Sequence, residues 1–353
     1  MDNHLFGTGK IITLFSVQNV GIEICMIKEL RNYGFTVISI NEELNKKYLF
    51  HYPDIRSLLY GKYRKIIYKD KQPCKDAKNK FYWQKFFNII SKLSRKPDYA
   101  LFLRGDIFDD KILKEVKKQT TNGIINYQYD GLSRYPEIFS KINLFDKFFL
   151  FDYQDLDKFP NLLPATNFYF EPHTPLSNNG KVYFLAAHQD GRTQLINQFT
   201  NYAKEHNLAL DFNIYLFSDH QKNDYTTPQV INFFMAKKVK PVSFQDNILY
   251  SQQSAILADF VINEHKGLSF RVFEALGYQK KLITTNETVK LYDFYHPNNI
   301  FVYNGKNHDE LTEFLKLPYF PIDENIRKKY SFANWIRYVL DIPPYQKITL
   351  PKY

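Results

Sequence analysis

The chain has 353 residues, a length that suits two domains better than one. Hydrophobic residues make up 44% of it and charged residues 24%, which excludes a disordered polyelectrolyte. No apolar run approaches the roughly 20 residues that a membrane-spanning helix needs, and the N-terminus carries no signal-peptide pattern. Two cysteines cannot form a disulfide framework or a zinc cage. These features predict a cytosolic protein without a membrane span.

The net charge of +10 is concentrated in residues 55–96, the basic segment. This segment holds thirteen Lys and Arg residues and two Asp residues, a local charge of +11, so the rest of the chain sums to −1. Such a segment suits an anionic membrane surface or a nucleic acid. The sequence has no RNP signature, zinc finger or KH loop, so nucleic acid is not an expected partner.

Strands alternate with helices in the first half of the chain. A buried strand over 10–17, a helix capped by Asn19 and a strand over 35–40 predict a βαβ unit, which is typical of a parallel sheet. The elements predicted after these are a helix over 81–93, a strand over 98–103, a helix over 108–118, a strand over 123–127, a helix over 135–142 and a strand over 147–151.

The predicted helix over 81–93 has two interpretations. In the first, the basic segment holds the protein at an anionic membrane, where each Lys or Arg contributes about 1 kcal/mol. Tyr82, Trp83, Phe86 and Phe87 would then lie at the lipid headgroups. In the second, the same apolar face packs into the core and the basic residues form a solvated rim.

The second half repeats the alternation after a connection over 161–180 that contains three prolines and predicts a domain boundary. Strands are predicted over 182–187, 211–217, 258–262, 281–285 and 299–303, and helices over 193–205, 230–236, 243–248, 269–276, 309–315 and 325–340. The predicted fold class is α/β with two Rossmann-like domains. Their bounds are 1–165 for the first domain, 166–180 for the linker, 181–322 for the second domain and 323–353 for the closing helix and tail.

Several enzyme classes are disfavoured by missing motifs. Gly7 and Gly9 precede the first strand, whereas a dinucleotide-binding glycine turn follows a strand and opens a helix. Ile11 follows Lys10 where a P-loop has Ser or Thr. The sequence also contains no HExxH, CxxC or GxSxG motif.

The stretch 263–286 predicts a ligand site. A strand ends before it, and a helix begins near Ser269, where exposed N–H groups and the helix dipole suit a phosphate. Glu274 lies five residues further on, close to the same side of the helix, and would accept ribose hydroxyl groups. The alternative is an ordinary connection in which Ser269 caps the helix and Glu274 is solvated. The spacing alone leaves both interpretations open.

Residues 267–276 and 280–286 resemble the donor-domain signature of GT-B glycosyltransferases, and in particular the bacterial lipopolysaccharide and capsule biosynthesis proteins of that fold. Further stretches that resemble the same group are 98–106, 127–136, 144–152, 293–300 and 329–335. The resemblance implies two domains that face a cleft. It also implies that a nucleotide-sugar donor binds mainly to the C-terminal domain and an acceptor to the N-terminal one.

Arg192 matches the arginine that such enzymes direct at the donor diphosphate, and a cation there would neutralise the leaving group without a metal. The alternative is a surface arginine. Because Arg192 and the helix that begins at Ser269 can balance the phosphate charge, the resemblance implies no metal and no cofactor. The donor-binding residues that it implies are Arg192, Glu264, Gly267, Leu268, Ser269, Arg271 and Glu274.

The sequence departs from the family pattern in two places. Retaining enzymes of this fold carry two glutamates separated by seven residues, whereas nine separate Glu264 and Glu274. No lysine follows Arg192 at the usual short interval. Retention or inversion of the anomeric centre therefore stays open.

An inverting reaction needs a base on the acceptor side. Asp106 and Asp130 each follow a predicted strand, and the carboxyl ends of parallel strands border ligand sites. Either carboxylate would serve as the base, with Asp130 preferred and His188 as an alternative; a loop histidine is otherwise polar surface. In the structural alternative the aspartates cap helices or pair with nearby Arg104 and Arg134. The residues assigned to the acceptor or membrane side are Arg104, Arg134, Lys85 and Trp83.

Together these features predict a metal-independent glycosyltransferase that works in the cytosol at the inner membrane face. It would move a sugar from a nucleotide-sugar donor to a lipid-linked glycan of a surface polysaccharide. One rival is a nucleotide-sugar epimerase of the same fold, which needs no lipid acceptor. Another is a non-catalytic protein that binds a membrane or a polyanion.

Overall fold

The computed structural model describes residues 5–16, 21–41, 52, 54–262 and 266–351. They form two six-stranded sheets with helices between the strands, and the strand pairs are parallel. The prediction of an α/β protein with two parallel sheets is therefore confirmed. The proposed cap Asn19 and the proposed donor contact Glu264 lie outside the described residues.

The first sheet contains β1 (Ile11–Phe15), β2 (Thr36–Ser39), β3 (Tyr99–Leu103), β4 (Ile124–Gln128), β5 (Lys147–Leu150) and β6 (Leu163–Pro164). Their order across the sheet is β2-β1-β3-β4-β5-β6. The strands read as continuous apolar runs because parallel sheets are covered on both faces. Strand β3, for example, is buried at all five positions.

The helices in this half of the chain are α1 (Ile22–Asn32), α2 (Ile55–Ile67), α3 (Gln72–Ile90), α4 (Asp110–Lys118) and α5 (Tyr153–Lys158). Helix α3 contains most of the helix predicted over 81–93 but begins earlier, with a proline near its first residue. Helix α2 was not predicted. Its N-cap is Asp54, whose side chain accepts a hydrogen bond from the backbone N–H of Ser57 at 2.7 Å.

The second sheet contains β7 (Val182–Ala187), β8 (Leu210–Leu216), β9 (Ile231–Met235), β10 (Ile256–Asp259), β11 (Lys281–Thr284) and β12 (Ile300–Val302). The helices are α6 (Asp190–Glu205), α7 (Phe244–Gln253), α8 (Phe270–Gly277), α9 (His308–Lys316), α10 (Glu324–Lys329) and α11 (Phe332–Leu340). The order β12-β11-β10-β7-β8-β9 is that of a doubly wound Rossmann sheet. The winding direction changes between β7 and β10, which are neighbours in the sheet.

Three predicted helices differ from the structure. Residues 230–236 contain strand β9, which pairs with β8 so that Ile214 lies opposite Phe233. A short apolar run cannot be assigned from periodicity alone, and the pairing with β8 decides it. Residues 135–142 form short 3-10 turns instead of a helix, and one of them begins at Pro136. The helix predicted over 325–340 is interrupted at Ser331, whose side chain caps α11 by accepting from the N–H of Asn334.

By its internal contacts the chain divides into two compact units. The first unit comprises Met1–Asn19, Met26–Asn126 and Lys141–Lys147, and the second comprises Val20–Cys25, Tyr127–Ser140 and Phe148–Tyr353. Within the part of the chain that the structure describes, no helix combines the length and the apolar character that crossing a bilayer requires.

The predicted connection 161–180 is packed against α11 in the second unit. The ring of Phe168 lies 4.6 Å from that of Trp335, and both side chains are buried. The indole Nε1 of Trp335 donates to the backbone carbonyl of Thr166 at 2.9 Å. This connection is therefore anchored by both apolar and polar contacts.

Replacing Trp335 with Ala is expected to lower the free energy of unfolding by about 3–5 kcal/mol, because it empties a fully buried indole site. Urea denaturation followed by circular dichroism measures the loss. Phe217→Ala, at an exposed position, is the control and should change the free energy by about 0.5 kcal/mol or less. Equal losses in the two variants would contradict the anchoring role of Trp335.

Candidate functional site

A cavity of about 330 Å³ lies at the carboxyl ends of β7 and β10, beside the first turn of α8. This is the position where the winding of the second sheet changes direction and where such sheets bind ligands. The residues that line the cavity are Phe184, Leu185, Ala186, Arg192, Phe244, Asn247, Ala258, Asp259, Phe260, Ser269, Phe270, Arg271 and Glu274. All of them belong to the second unit.

The sequence places Arg192 just before the helix predicted over 193–205, whereas in the structure it lies in the first turn of α6. Its guanidinium donates to the carbonyl of Ala187, and its Nη1 donates to the carbonyl of Phe260 at 3.3 Å. Its Nε is buried without a hydrogen-bond partner among the described residues. Burial, together with the nearby charge of Arg271, lowers the pKa of Arg192. Arg192 is therefore half-buried and bonded to two backbone carbonyls.

Arg271 is the second cation of the cavity. Its Nη2 lies 3.3 Å from Oδ1 of Asn247 and 3.5 Å from the carbonyl of Leu185. The guanidinium carbon lies 5.1 Å from the ring centroid of Tyr183, within cation–π range. Its Nε and Nη1 are buried and have no hydrogen-bond partner in the described part of the chain.

Glu274 is 2% exposed, so the alternative that it is solvated is wrong. Its Oε2 accepts from the hydroxyl of Ser251 at 2.8 Å and lies 3.7 Å from Nε of Arg271. Its Oε1 accepts from Asn247 Nδ2 over a longer distance of 3.4 Å. Burial raises the pKa of Glu274, while the charge of Arg271 and the bond from Ser251 oppose that rise.

The hydroxyl of Ser269 donates to Oδ1 of Asp259 at 2.9 Å instead of capping α8. The other oxygen of Asp259 accepts from the hydroxyl of Thr284 at 3.0 Å. Sequence reasoning did not single out Asp259 or Asn247. A carboxylate inside the apolar run of β10 was a usable signal for Asp259, whereas nothing marked Asn247 among the polar residues of α7.

The cavity therefore contains three buried guanidinium nitrogens that no group in the described chain accepts from: Nε of Arg192 and both Nε and Nη1 of Arg271. Buried donors without partners are costly, and most such groups in proteins are satisfied. An anion in the cavity would accept from them through charge-assisted hydrogen bonds. The arrangement is chemically suited to binding a phosphate or diphosphate group.

Two other residues predicted to bind the donor have structural contacts. A side chain at Gly267 would begin only 2.4 Å from the ring of Phe151, so glycine is required there by packing. Leu268 is buried, and its carbonyl accepts from Nδ2 of Asn167 at 2.9 Å. Neither residue lines the cavity.

The two predicted bases are each held by an arginine. Asp106 is buried, and its Oδ2 lies 2.6 Å from Nη2 of Arg104, whose backbone adopts a left-handed conformation with φ of 66°. Oδ1 of Asp130 lies 3.1 Å from Nη1 of Arg134. The pairing alternative is thus observed, and the helix-capping alternative is wrong because neither carboxylate caps a helix.

Asp130 is connected to the cavity through its neighbour. The ring of Tyr129, the residue before it, lies 6.4 Å from the ring of Phe270, which lines the cavity. All three residues belong to the second unit. The chain therefore brings Tyr129, the residue before Asp130, close to the first turn of α8.

His188 is buried, which excludes the interpretation as a polar surface residue. Its Nδ1 lies 2.9 Å from the hydroxyl of Tyr225, and its Nε2 lies 2.9 Å from Oδ1 of Asp190 and 3.5 Å from Oδ2 of Asp224. The imidazole and the two carboxylates offer ligand atoms within 4.8 Å of one another, a spacing compatible with a divalent cation.

The aromatic residues of α3 mostly pack inward. Phe86 is fully buried, so the prediction that it reaches lipid headgroups is wrong. The ring of Trp83 lies 5.7 Å from that of Phe86 and 6.0 Å from that of Phe15 in β1. The ammonium of Lys85 lies 5.5 Å from the centre of the Phe81 ring. The core-packing interpretation holds for this face of the helix.

No model of a known protein family matches the sequence, and no curated protein matches it. Several solved structures are similar to it. S. aureus MnaA with UDP is 11% identical, covers 96% of this chain and 99% of its own, and gives a TM-score of 0.44. A glycosyltransferase from Rickettsia africae is 12% identical, with 87% of both chains covered and a TM-score of 0.45.

The Glycosylation Associate Protein (Gap123) complex from Streptococcus agalactiae is 11% identical over 74% of this chain, with a TM-score of 0.39. This chain spans about half, 54%, of the length of that one. At these identities and TM-scores the similarities assign neither an activity nor a substrate.

The raised pKa of Glu274 predicts a pH-dependent stability. Where the folded protein holds this proton more tightly than the unfolded chain, stability falls as pH rises. The wild type should therefore gain stability relative to Glu274→Gln as pH falls from neutral toward the ordinary carboxyl value of 4.5. Urea midpoints at several pH values measure this difference. Glu310→Gln, at an exposed position, is the control and should track the wild type.

Proposed function

We propose that this protein is a glycosyltransferase that moves a sugar from a nucleotide-sugar donor to a glycan acceptor. The observation that carries the proposal is a pair of half-buried arginines, Arg192 and Arg271, which line a cavity of about 330 Å³ and hold three buried nitrogens without a hydrogen-bond acceptor in the described chain. The diphosphate of a nucleotide sugar supplies several anionic oxygens that accept from such donors. The first turn of α8 adds the positive end of a helix dipole.

The proposed chemistry follows from the same charges. When the bond between the anomeric carbon and the phosphate oxygen breaks, negative charge develops on the departing nucleoside diphosphate. Fixed guanidinium groups in a buried site stabilise that charge without reorganising. Arg192 and Arg271 supply this positive charge in the proposal, which therefore requires no metal.

Glu274 and Asp259 complete the donor side. In the proposal, Oε1 of Glu274 accepts a ribose hydroxyl, since its bond from Asn247 is long at 3.4 Å. Oε2 of Glu274 keeps Arg271 in place. Asp259 holds the hydroxyl of Ser269 at the beginning of α8 and is a positioning residue.

For an inverting reaction, we assign the base to Asp130, with Asp106 as the second candidate. As the acceptor oxygen bonds to the anomeric carbon, the carboxylate takes the hydroxyl proton. The contact of Tyr129 with Phe270 favours Asp130 over Asp106. The acceptor in this proposal is a lipid-linked glycan of a surface polysaccharide.

Nucleotide binding tests the donor site. UDP, GDP, CMP and dTDP and the matching nucleotide sugars are compared by isothermal titration calorimetry, with and without EDTA. One nucleotide series should bind, and Arg271→Gln should weaken it about tenfold or more because charge-assisted bonds are lost. Arg56→Gln, on the exposed face of α2, is the matched control and should bind like the wild type.

Two results would contradict the donor site. One is the absence of binding by every nucleotide, and the other is equal binding by Arg271→Gln and the wild type. Loss of binding in EDTA would instead remove the metal-independent mechanism and direct attention to His188, Asp190 and Asp224.

Replacing Asp130 tests whether its carboxylate is the catalytic base. Asp130→Asn is expected to reduce sugar transfer from the preferred donor to a lipid-linked glycan fraction by about 10²–10⁴-fold. Donor binding should be unchanged, since Asp130 does not line the cavity. Asp106→Asn is the comparison and should retain most of the transfer. Conversion of the donor into an epimeric nucleotide sugar without any acceptor would favour an epimerase over this proposal.

A further inference from the structure

Helix α2 presents an apolar face to solvent. In a segment of fourteen residues, 55–68, lie seven of the nineteen exposed large hydrophobic residues of the described chain. Six of them belong to α2 and are 52–74% exposed: Ile55, Leu59, Tyr60, Tyr63, Ile66 and Ile67. Scattered exposed apolar residues are ordinary, but a cluster of this density marks an interaction site.

These six side chains share one side of the helix. With successive residues about 100° apart, they fall within an arc of about 140°. The opposite side of α2 faces the protein, because Gly61 is buried there next to Tyr52. Helix α2 also packs against α3. The apolar arc is therefore the outer face of this helical pair, and we call it the α2 face.

Positive charge surrounds the α2 face. On the same projection Arg56 lies within the arc, and Lys62 and Arg64 lie within about 40° of its two edges. Of the thirteen basic residues in the basic segment, eleven are exposed. The two acidic residues are engaged locally, since Asp70 pairs with Arg64 at 2.6 Å and Asp76 accepts from Gln72 at 2.7 Å.

We propose that the α2 face docks this protein on an anionic lipid bilayer, with α2 in the plane of the interface. Ile55, Leu59 and Ile66 would enter the boundary between headgroups and acyl chains, and the surrounding Lys and Arg side chains would contact the anionic headgroups. An amphipathic helix with an apolar face and basic flanks binds membranes in this way. The docking helix is thus α2, and the aromatic face of α3 packs against the core.

Two other occupants fit the α2 face less well. A second copy of the chain would bring two segments of charge +11 together, and like charges repel. A single-stranded nucleic acid would use aromatic side chains for base stacking, whereas four of the six side chains on the face are aliphatic. Acyl chains accept aliphatic and aromatic side chains alike.

The inference adds a location to the proposed function and rests on that function only for the lipid-linked acceptor. A protein held at the membrane by α2 works where such an acceptor is. The docking itself depends on the first unit alone, since all of the basic segment belongs to it. Vesicle binding and nucleotide binding are therefore separate measurements, and either one can fail without the other.

The test is flotation of the full-length protein with vesicles of phosphatidylcholine alone or of equal parts phosphatidylcholine and phosphatidylglycerol. We expect binding to the anionic vesicles that weakens as salt is added. Ile55→Gln/Ile66→Gln and Arg56→Glu/Lys62→Glu should each weaken it about tenfold or more. Both variants change only exposed side chains, so their thermal unfolding should match the wild type.

Matched controls change the same residue types elsewhere. Phe217→Gln/Leu291→Gln replaces two exposed apolar residues outside the basic segment, and Lys237→Glu/Lys238→Glu reverses two exposed charges there. Both should bind anionic vesicles like the wild type. If these controls lose as much binding as the α2 variants, vesicle binding depends on the protein surface in general, and the α2 face is not the docking site.

Three further results would overturn the proposal. The first is equal binding to neutral and anionic vesicles, and the second is full vesicle binding by Ile55→Gln/Ile66→Gln. The third is a dimer in sedimentation velocity that this variant abolishes while vesicles bind nothing, which would make the face a self-association surface.

Discussion

Two half-buried arginines place buried guanidinium nitrogens at one edge of the second sheet, and this charge constrains the residues around them. Moving a guanidinium out of water is costly unless hydrogen bonds and opposite charge replace the lost solvent. Glu274 supplies the opposite charge 3.7 Å from Arg271, and the carbonyls of Ala187 and Phe260 accept from Arg192. These contacts replace the lost solvent only in part, because three guanidinium nitrogens have no hydrogen-bond acceptor in the described chain. The protein thus holds positive charge in place before an anion arrives.

Small residues and packing keep α8 where this charge arrangement needs it. A side chain at Gly277, the last residue of α8, would begin 2.2 Å from the ring of Tyr169, and one at Gly267, before the helix begins, would begin 2.4 Å from the ring of Phe151. At its first turn, Asp259 holds the hydroxyl of Ser269. The helix is therefore seated at both ends by contacts within the second unit. Arg271 and Glu274 lie between these two anchors.

Much of the fold was predictable because most strands are continuous apolar runs bounded by polar residues. Strand β7 begins and ends where it was predicted, while β9 was assigned as a helix because its five residues carry no usable period. In the candidate site, resemblance pointed to Arg192, Arg271 and Glu274. Their burial and missing partners depend on tertiary packing, which no sequence pattern records. Asn247, which also lines the cavity, belongs to helix α7, and no pattern in the sequence around it indicated a binding residue.

In the basic segment, too, the sequence could not show which side chains the core covers and which are exposed. Composition located the charge, but periodicity could not tell which apolar face the core covers, since Phe86 in α3 and Ile66 in α2 both fit a helical stripe. The structure buries the first and exposes the second. Positive charge consequently takes two forms in this protein. Exposed lysines in the first unit stay hydrated and are screened beyond about 8 Å at physiological salt. The partly buried guanidinium groups of the second unit are screened much less, so they act on a bound anion at short range. The lysines act together on an extended charged surface.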